Sequence, residues 1–109
     1  MKLWVMSDLH HEFVRDRQYG AQPMTRFDPS IAAPTEFDAV VVAGDVDVTL
    51  LRSLRWLADH FAGVPVIYVP GNHDFYADAT APEGVRTIDE LVAMGQDLAA
   101  KLGIRLLID

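Results

Sequence analysis

Four short apolar runs recur along the chain, at residues 3–6, 38–43, 65–69 and 104–108. Each is too short for an independent helix and is followed by a polar residue, glycine or proline, which is typical of strands. Nearly continuous apolar runs indicate strands of a parallel sheet that is covered on both sides. We therefore predict four strands, and we expect residues 3–6 to be buried on both faces.

Two segments between these runs repeat apolar residues at helical spacing. The apolar face of the first consists of Leu50, Leu54, Leu57 and Phe61. Either Asp47 or Thr49 could cap this helix. The second segment opens with the capping-box spacing of Thr87 and Glu90, and Gly103 ends it. Because strands and helices alternate, we predict an α/β fold with a mainly parallel sheet and crossover helices.

Two further segments show no period and are predicted to be loops. Residues 14–36 contain three prolines and the arginines Arg15, Arg17 and Arg26. A loop of this length in a compact domain is uncommon and is often functional. It is interpreted either as a surface excursion or as a substrate-side loop that presents arginine to an anionic group. The second loop comprises residues 77–84.

Composition narrows the class of protein. A chain of 109 residues that is 50% hydrophobic suits one small globular domain. The absence of cysteine excludes disulfides, thiolate metal sites and a cysteine nucleophile. The net charge of −7 argues against general nucleic-acid binding. Since the sequence contains neither a membrane-length apolar run nor the apolar region of a signal peptide, we predict a cytoplasmic protein without a membrane partner.

Polar residues that can bind metals follow three of the predicted strands. Asp8 and His10 follow the first, Asp45 the second, and Asn72 and His73 the third. The carboxyl ends of parallel strands share one edge of the sheet, and an extended backbone would aim Asp8 and His10 to the same side. Carboxylate, imidazole and amide donors suit Mn, Fe or Zn better than Ca. A carboxylate such as Asp45 can bridge two cations about 3.5–4 Å apart, and such a pair would clamp a phosphoryl group and acidify a bound water.

Single residues in these motifs also have purely structural interpretations. An aspartate at a strand end is often a cap or a turn residue, which is the preferred interpretation for Asp47. His11 is interpreted as an exposed loop residue, and His60 as a favourable charge at a helix end. Phe75 and Tyr76 could pack on a substrate, but anchoring of the loop against the core is the preferred interpretation.

Taken together, the motifs resemble those of the calcineurin-like metallophosphoesterases. They are Asp8-Leu9-His10, Gly44-Asp45 and Gly71-Asn72-His73-Asp74, in that order. The resemblance implies a phosphate-ester substrate, two divalent metal ions and half of an αββα sandwich. It implies that Asp8 and His10 bind the first metal, that Asp45 bridges both metals, and that Asn72 binds the second.

The resemblance also implies catalytic roles for His73 and Asp74. His73 would lie near the leaving group, as a general acid or as a donor to the phosphate. Asp74 matches the acid that commonly follows this histidine. Val48 stands where the protein phosphatases of the family place an aspartate, which leaves the group that orients His73 open. The family takes further histidine ligands from a carboxyl-terminal half, whereas no histidine follows His73 here.

We therefore expect residues 1–109 to form a truncated metallophosphoesterase domain, its amino-terminal half, which self-associates through exposed sheet surface. The first functional hypothesis is an enzyme, a phosphoesterase that hydrolyses a phosphomonoester or phosphodiester with a metal-activated water. The alternative is a metal-binding or interaction fragment without turnover. A nucleotide-binding domain lacks support, because neither a Walker motif nor G-x-G-x-x-G occurs.

Overall fold

The structure, a computed structural model, describes residues 1–11, 28–29, 33–76 and 87–108. Its strands are β1 (Leu3–Ser7), β2 (Ala39–Ala43), β3 (Val66–Val69) and β4 (Ile104–Leu106). Its helices are α1 (Leu50–His60), α2 (Ile88–Leu102) and a short 3-10 helix (His73–Phe75). The three arginines of the first predicted loop and all of residues 77–84 lie outside the described residues. The predicted roles of both loops therefore stay predictions.

The described strands form one parallel sheet in the order β1-β2-β3-β4. Its register aligns Val5 with Val41, Val41 with Ile67, and Ile67 with Arg105. The predicted α/β fold with a mainly parallel sheet is confirmed. When parallel strands follow one another in sequential order, right-handed crossovers place the connecting helices on the same face. In agreement with this rule, α1 and α2 pack against each other and share one core.

The helices form where the sequence predicts them. Leu50, Leu54 and Leu57 of α1 are fully buried, and burial of each such side chain contributes about 1.5–3 kcal/mol. Thr49 occupies the N-cap position of α1 without a side-chain capping bond. In α2 the Thr87–Glu90 capping box is present in both directions. Gly103 ends α2 with φ 73°, a left-handed conformation that glycine adopts without a Cβ clash.

The expectation that β1 is buried on both faces is wrong. Leu3 is 49% exposed and Val5 is 62% exposed, whereas Trp4 and Met6 pack against the core. The reason is the sequential strand order, since both helices of the described chain lie on the face of the sheet that carries Trp4 and Met6. The opposite face also includes Val69, which is 41% exposed. Self-association through this face stays a prediction.

The two long helices, α1 and α2, are amphipathic. The 11 residues of α1 and the 15 residues of α2 each direct one face into the core and the other to solvent. Among the described residues, therefore, neither helix combines the length and the apolar character that a bilayer crossing requires. The cytoplasmic location stays a prediction.

Candidate metal centre at the carboxyl edge of the sheet

The loops that follow β1 and β2 run side by side beyond the sheet. The amide of Asp8 donates to Gly44 O at 3.0 Å, and the amide of His10 donates to Asp45 O at 2.9 Å. A third bond joins the His11 amide to Val46 O at 2.8 Å. These bonds continue the pairing of the two strands, so backbone hydrogen bonds fix the first motif relative to Asp45.

Three residues of these loops adopt a left-handed backbone. The φ angles are 56° at Asp8, 49° at His10 and 57° at Asp45. The expected extended backbone at Asp8 and His10 is therefore wrong, although both side chains still reach the same place. For residues other than glycine this conformation costs about 1–2 kcal/mol each. Such strain persists where the surrounding structure enforces it, and it clusters at functional sites.

The structure brings Asp8, His10 and Asp45 together. One ligand atom from each lies within 4.8 Å of the other two. Asp8 Oδ1 and His10 Nε2 lie 3.6 Å apart. Asp8 is exposed, His10 half-buried and Asp45 buried, so the group opens to solvent on one side. Two carboxylates and an imidazole fit a Mn, Fe or Zn ion, and the donor set therefore fits the metal that the sequence predicts.

The third motif lies against the same group. The His73 ring packs edge-on against His10, with centroids 4.6 Å apart, and its centroid is 4.5 Å from that of Tyr76. Asn72 is exposed and donates its Nδ2 to Tyr76 Oη at 2.8 Å. We use the name carboxyl rim for the residues Asp8, His10, Asp45, Asn72 and His73.

The interpretation of Phe75 and Tyr76 is confirmed for one residue and wrong for the other. Phe75 packs against the core and anchors the loop. Tyr76 is 46% exposed and contacts His73 and Asn72 instead. Sequence reasoning therefore missed Tyr76 as a partner of two rim residues. Tyr76 follows His73 by three residues and Asn72 by four within one short turn, and this spacing was the available signal in the sequence.

Close backbone packing joins the second and third motifs. A Cβ on Gly71 would collide with Asp45 Oδ1 and would lie 2.7 Å from Asp45 Cγ. A Cβ on Gly44 would lie 3.1 Å from Gly71 Cα, and Gly44 also has φ 78°. Glycine at both positions lets the loops touch. The His73 amide can then donate to Asp45 Oδ1 at 2.8 Å.

Asp74, the other residue with a predicted catalytic role, lies beneath the carboxyl rim. It is completely buried, and its carboxylate accepts hydrogen bonds from Ser53, Tyr68, Gly71 and Asp45. Burial raises the pKa of Asp74, and hydrogen bonds from Ser53 and Tyr68 lower it part of the way back. Burial and the neighbouring charge of Asp74 raise the pKa of Tyr68, whose hydroxyl is therefore a proton donor at neutral pH.

The structure also shows the positions of three residues outside the predicted site, His11, Asp47 and His60. The expectation that His11 is exposed is wrong, because His11 is 2% exposed. Its amide donates to Val46 O, and its ring centroid lies 4.5 Å from that of Trp56. The interpretation of Asp47 as the helix cap is also wrong, since its Oδ1 accepts from the Val48 amide ahead of α1. His60 lies in the last turn of α1, as predicted.

Comparison with known proteins identifies the family. The sequence model of the calcineurin-like phosphoesterase family matches residues 1–104. No curated protein and no solved structure matches the chain in the other two comparisons. The match includes all three motifs of the carboxyl rim together with β1 to β3 and both long helices. The chain therefore belongs to the calcineurin-like phosphoesterase family.

Proposed function

We propose that this chain provides the metal-binding and acid–base residues of a metal-dependent phosphoesterase that hydrolyses a phosphomonoester or phosphodiester. The observation that carries the proposal is the convergence of Asp8, His10 and Asp45 within 4.8 Å. These residues belong to two separate motifs and converge at the edge of a parallel sheet where ligands bind in open α/β folds. Membership of the family supports the same reaction class.

The proposed metal ligands are Asp8, His10 and Asp45 for a first ion, with Asp45 and Asn72 for a second. Asp45 is the proposed bridge because it lies between the other two motifs, with its backbone bonded to His10 and its carboxylate to the His73 amide. When bound, Mn, Fe or Zn ions supply the positive charge that polarises a phosphoryl oxygen and acidifies a water.

Electrostatics also favour a metal-dependent reaction. Asp8 and Asp45 place two carboxylates at the edge where the substrate would bind, in a chain of net charge −7. A phosphate ester is an anion, so these groups alone would repel it. Bound cations reverse the sign of this local charge, which makes the acidic cluster compatible with an anionic substrate.

His73 is the proposed acid–base residue. Its amide is bonded to Asp45, and its ring is enclosed between His10 and Tyr76, so its orientation is fixed relative to the proposed metal ligands. An imidazole can hold and donate a proton, so His73 is proposed to supply the proton that the leaving oxygen requires. The proposed contribution of Asp74 is made through hydrogen bonds to this loop, because its carboxylate is enclosed.

The experiment that tests the function uses the purified 109-residue chain. p-Nitrophenyl phosphate and bis-p-nitrophenyl phosphate are assayed with Mn²⁺, Fe²⁺ or Zn²⁺, after chelation, and after return of the metal. Turnover that chelation abolishes and metal restores supports the proposal, provided that Asp8→Asn removes it. The matched control is Asp59→Asn, which alters an exposed acid on α1 outside the rim. Metal binding without turnover on either ester would contradict the proposal and support the alternative of a non-catalytic fragment.

A further inference from the structure

A completely buried carboxylate joins four parts of the molecule beneath the carboxyl rim. Asp74 Oδ1 accepts from Ser53 Oγ of α1 at 2.6 Å and from Tyr68 Oη of β3 at 2.7 Å. Asp74 Oδ2 accepts from the Gly71 amide at 2.7 Å and from the Asp45 amide at 3.2 Å. A carboxylate offers about four lone-pair positions, so these donors satisfy it fully. We call Asp74, Tyr68 and Ser53 the buried network.

The bonds between the second and third motifs are reciprocal. Asp74 of the third motif accepts the amide of Asp45, and Asp45 of the second motif accepts the amide of His73 at 2.8 Å. Each carboxylate therefore fixes the backbone of the other loop. The position of the Asp45 oxygens relative to the His73 ring depends on both bonds, although only Asp45 lies at the proposed metal site.

Tyr68 and Ser53 hold Asp74 and also contact the loop that carries Asp45. The Asp47 amide donates to Ser53 Oγ at 3.0 Å, and the Val46 amide approaches Tyr68 Oη at 3.5 Å. Both side chains are completely buried. The buried network thus connects α1 and β3 to Val46 and Asp47, the two residues that follow Asp45.

A buried carboxylate contributes little to the stability of a core, because removing its charge from water costs free energy. Replacing both partners of a buried hydrogen bond by apolar groups of the same shape can be nearly neutral or stabilising. A fully satisfied polar network instead imposes one unique arrangement on the groups that it joins. Here the joined groups are the two loops of the proposed metal site, which favours a role in geometry over a role in stability.

We propose that Asp74, supported by Tyr68 and Ser53, is a positioning residue that sets the Asp45 carboxylate against His73 for cation binding. The inference rests on the proposed function, because it concerns the same metal site. Partners of metal ligands that do not touch the metal typically change affinity by about 10–100-fold when they are removed. We expect an effect of this size from a residue that does not touch the cation.

The test measures metal-free structure and Mn²⁺ affinity in three variants of the full chain. Asp74→Asn weakens the carboxylate as an acceptor, and Tyr68→Phe keeps the ring but removes one donor. The matched control is Val66→Ala, which alters the buried side of the same strand outside the buried network. Amide hydrogen exchange reports on Asp45, Gly71 and His73 without metal, and calorimetry reports the Mn²⁺ dissociation constant. Urea denaturation establishes how far each variant is destabilised.

We expect Asp74→Asn to expose the Asp45 and Gly71 amides to exchange and to weaken Mn²⁺ binding by about tenfold or more. Tyr68→Phe should increase hydrogen exchange at the same amides and weaken Mn²⁺ binding by a smaller factor. This second variant keeps the test decisive if Asp74→Asn does not fold. Val66→Ala should lower stability while leaving those amides and the Mn²⁺ affinity at their wild-type values.

Two results would overturn the positioning role. The first is wild-type amide protection and Mn²⁺ affinity in both network variants, and the second is an equal loss of affinity in Val66→Ala. Failure of the proposed function looks different, because the wild-type chain itself would then not bind Mn²⁺. In that case amide exchange alone decides the inference: selective loss of protection at Asp45 and Gly71 supports the positioning role, and uniform loss across the sheet refutes it.

Discussion

Asp8 and Asp74 are aspartates that follow β1 and β3 at the same end of the sheet, but their surroundings are opposite. Asp8 is exposed, has a left-handed backbone, and lies 3.6 Å from the imidazole of His10. Asp74 is completely buried, and protein donors that include Tyr68 and Ser53 satisfy its carboxylate. The first arrangement leaves oxygen atoms facing solvent for a ligand, whereas the second directs every oxygen to the protein.

The contrast between the carboxyl rim and the buried network shows that donors around a carboxylate decide its role. A buried charge requires internal hydrogen bonds, and once these are made the group cannot reach a substrate. Asp45 links the two regions, because its carboxylate is in the candidate metal-binding group and its amide is bonded to Asp74. Changes at the rim should therefore alter chemistry or metal content directly, and changes in the network should alter geometry and, through it, metal affinity.

The largest expected effect is on turnover. In a chain that turns over, His73→Asn should lower kcat by about 10²–10⁴-fold, which is the usual contribution of general acid–base catalysis. Most of the bound metal should remain, because His73 is assigned to the leaving group and not to the cation. Kinetics with p-nitrophenyl phosphate and elemental analysis measure the two quantities together. Complete loss of metal in this variant would show instead that His73 is a ligand or a determinant of the fold.

The next effect is on metal content. Asp45→Asn should lower metal stoichiometry more than Asn72→Ala, because the proposed bridge serves both cations and Asn72 serves one. The loss of affinity should exceed the about 10–100-fold change expected for a partner that does not touch the metal. Elemental analysis after equilibration with Mn²⁺ gives the stoichiometry of both variants. Equal metal content in the two would refute the bridging role of Asp45.

A smaller effect, on stability and Mn²⁺ affinity, is expected when the close contact between the two loops is disturbed. Gly71→Ala should lower the free energy of unfolding by about 1–3 kcal/mol, the usual cost of overpacking, because the added Cβ meets Asp45 Oδ1. It should also weaken Mn²⁺ binding, since that oxygen is a proposed ligand. Urea denaturation and calorimetry measure the two changes.

Gly63→Ala provides the matched control for the glycine experiment. Gly63 has φ 80° and nothing within 4 Å of an added Cβ, so alanine there adds backbone strain of about 1–2 kcal/mol without a collision. Its Mn²⁺ affinity should equal that of the wild type. If both glycine variants lose the same affinity, general destabilisation explains the effect and the contact with Asp45 does not.

The smallest effect on the metal site should come from the other face of the sheet. Val5→Lys places a charge where a valine is 62% exposed, and it should reduce self-association because large exposed apolar patches favour association. Metal affinity should not change. Light scattering measures the molar mass of this variant and of a control variant, Ala62→Lys, which changes an exposed residue elsewhere. A wild-type chain that is already monomeric would contradict the predicted self-association.

Local patterns predict most of the fold. The apolar row of α1, the capping box of α2 and the left-handed Gly103 are local features, so the sequence contains the information that places them. The exposure of Leu3 and Val5 is different, because it depends on which face of the sheet the helices cover. An apolar run of four residues has the same sequence pattern whether the helices cover one face of the strand or both faces.

The site is predictable as a set of residues but not as a geometry. Strand ends that share an edge predict the meeting of Asp8, His10 and Asp45, and the structure confirms it. The left-handed backbone at these residues depends on pairing between loops that are far apart in sequence. Tyr68 and Ser53 stand within apolar patterns and look like ordinary core positions, so only the fold shows that both face Asp74.

The most direct test of the central claim locates a bound cation within the folded chain. Mn²⁺ broadens nearby amide signals in a ¹H–¹⁵N NMR spectrum, and the broadening should be strongest at Asp8, His10 and Asp45. The opposite end of the sheet provides an internal control, because Glu36 and Asp38 form another acidic group there, beside Lys2. Selective broadening at the carboxyl rim is the predicted result. Broadening centred on Glu36 and Asp38, or absent from the rim at saturating Mn²⁺, would contradict a metal centre formed by these motifs.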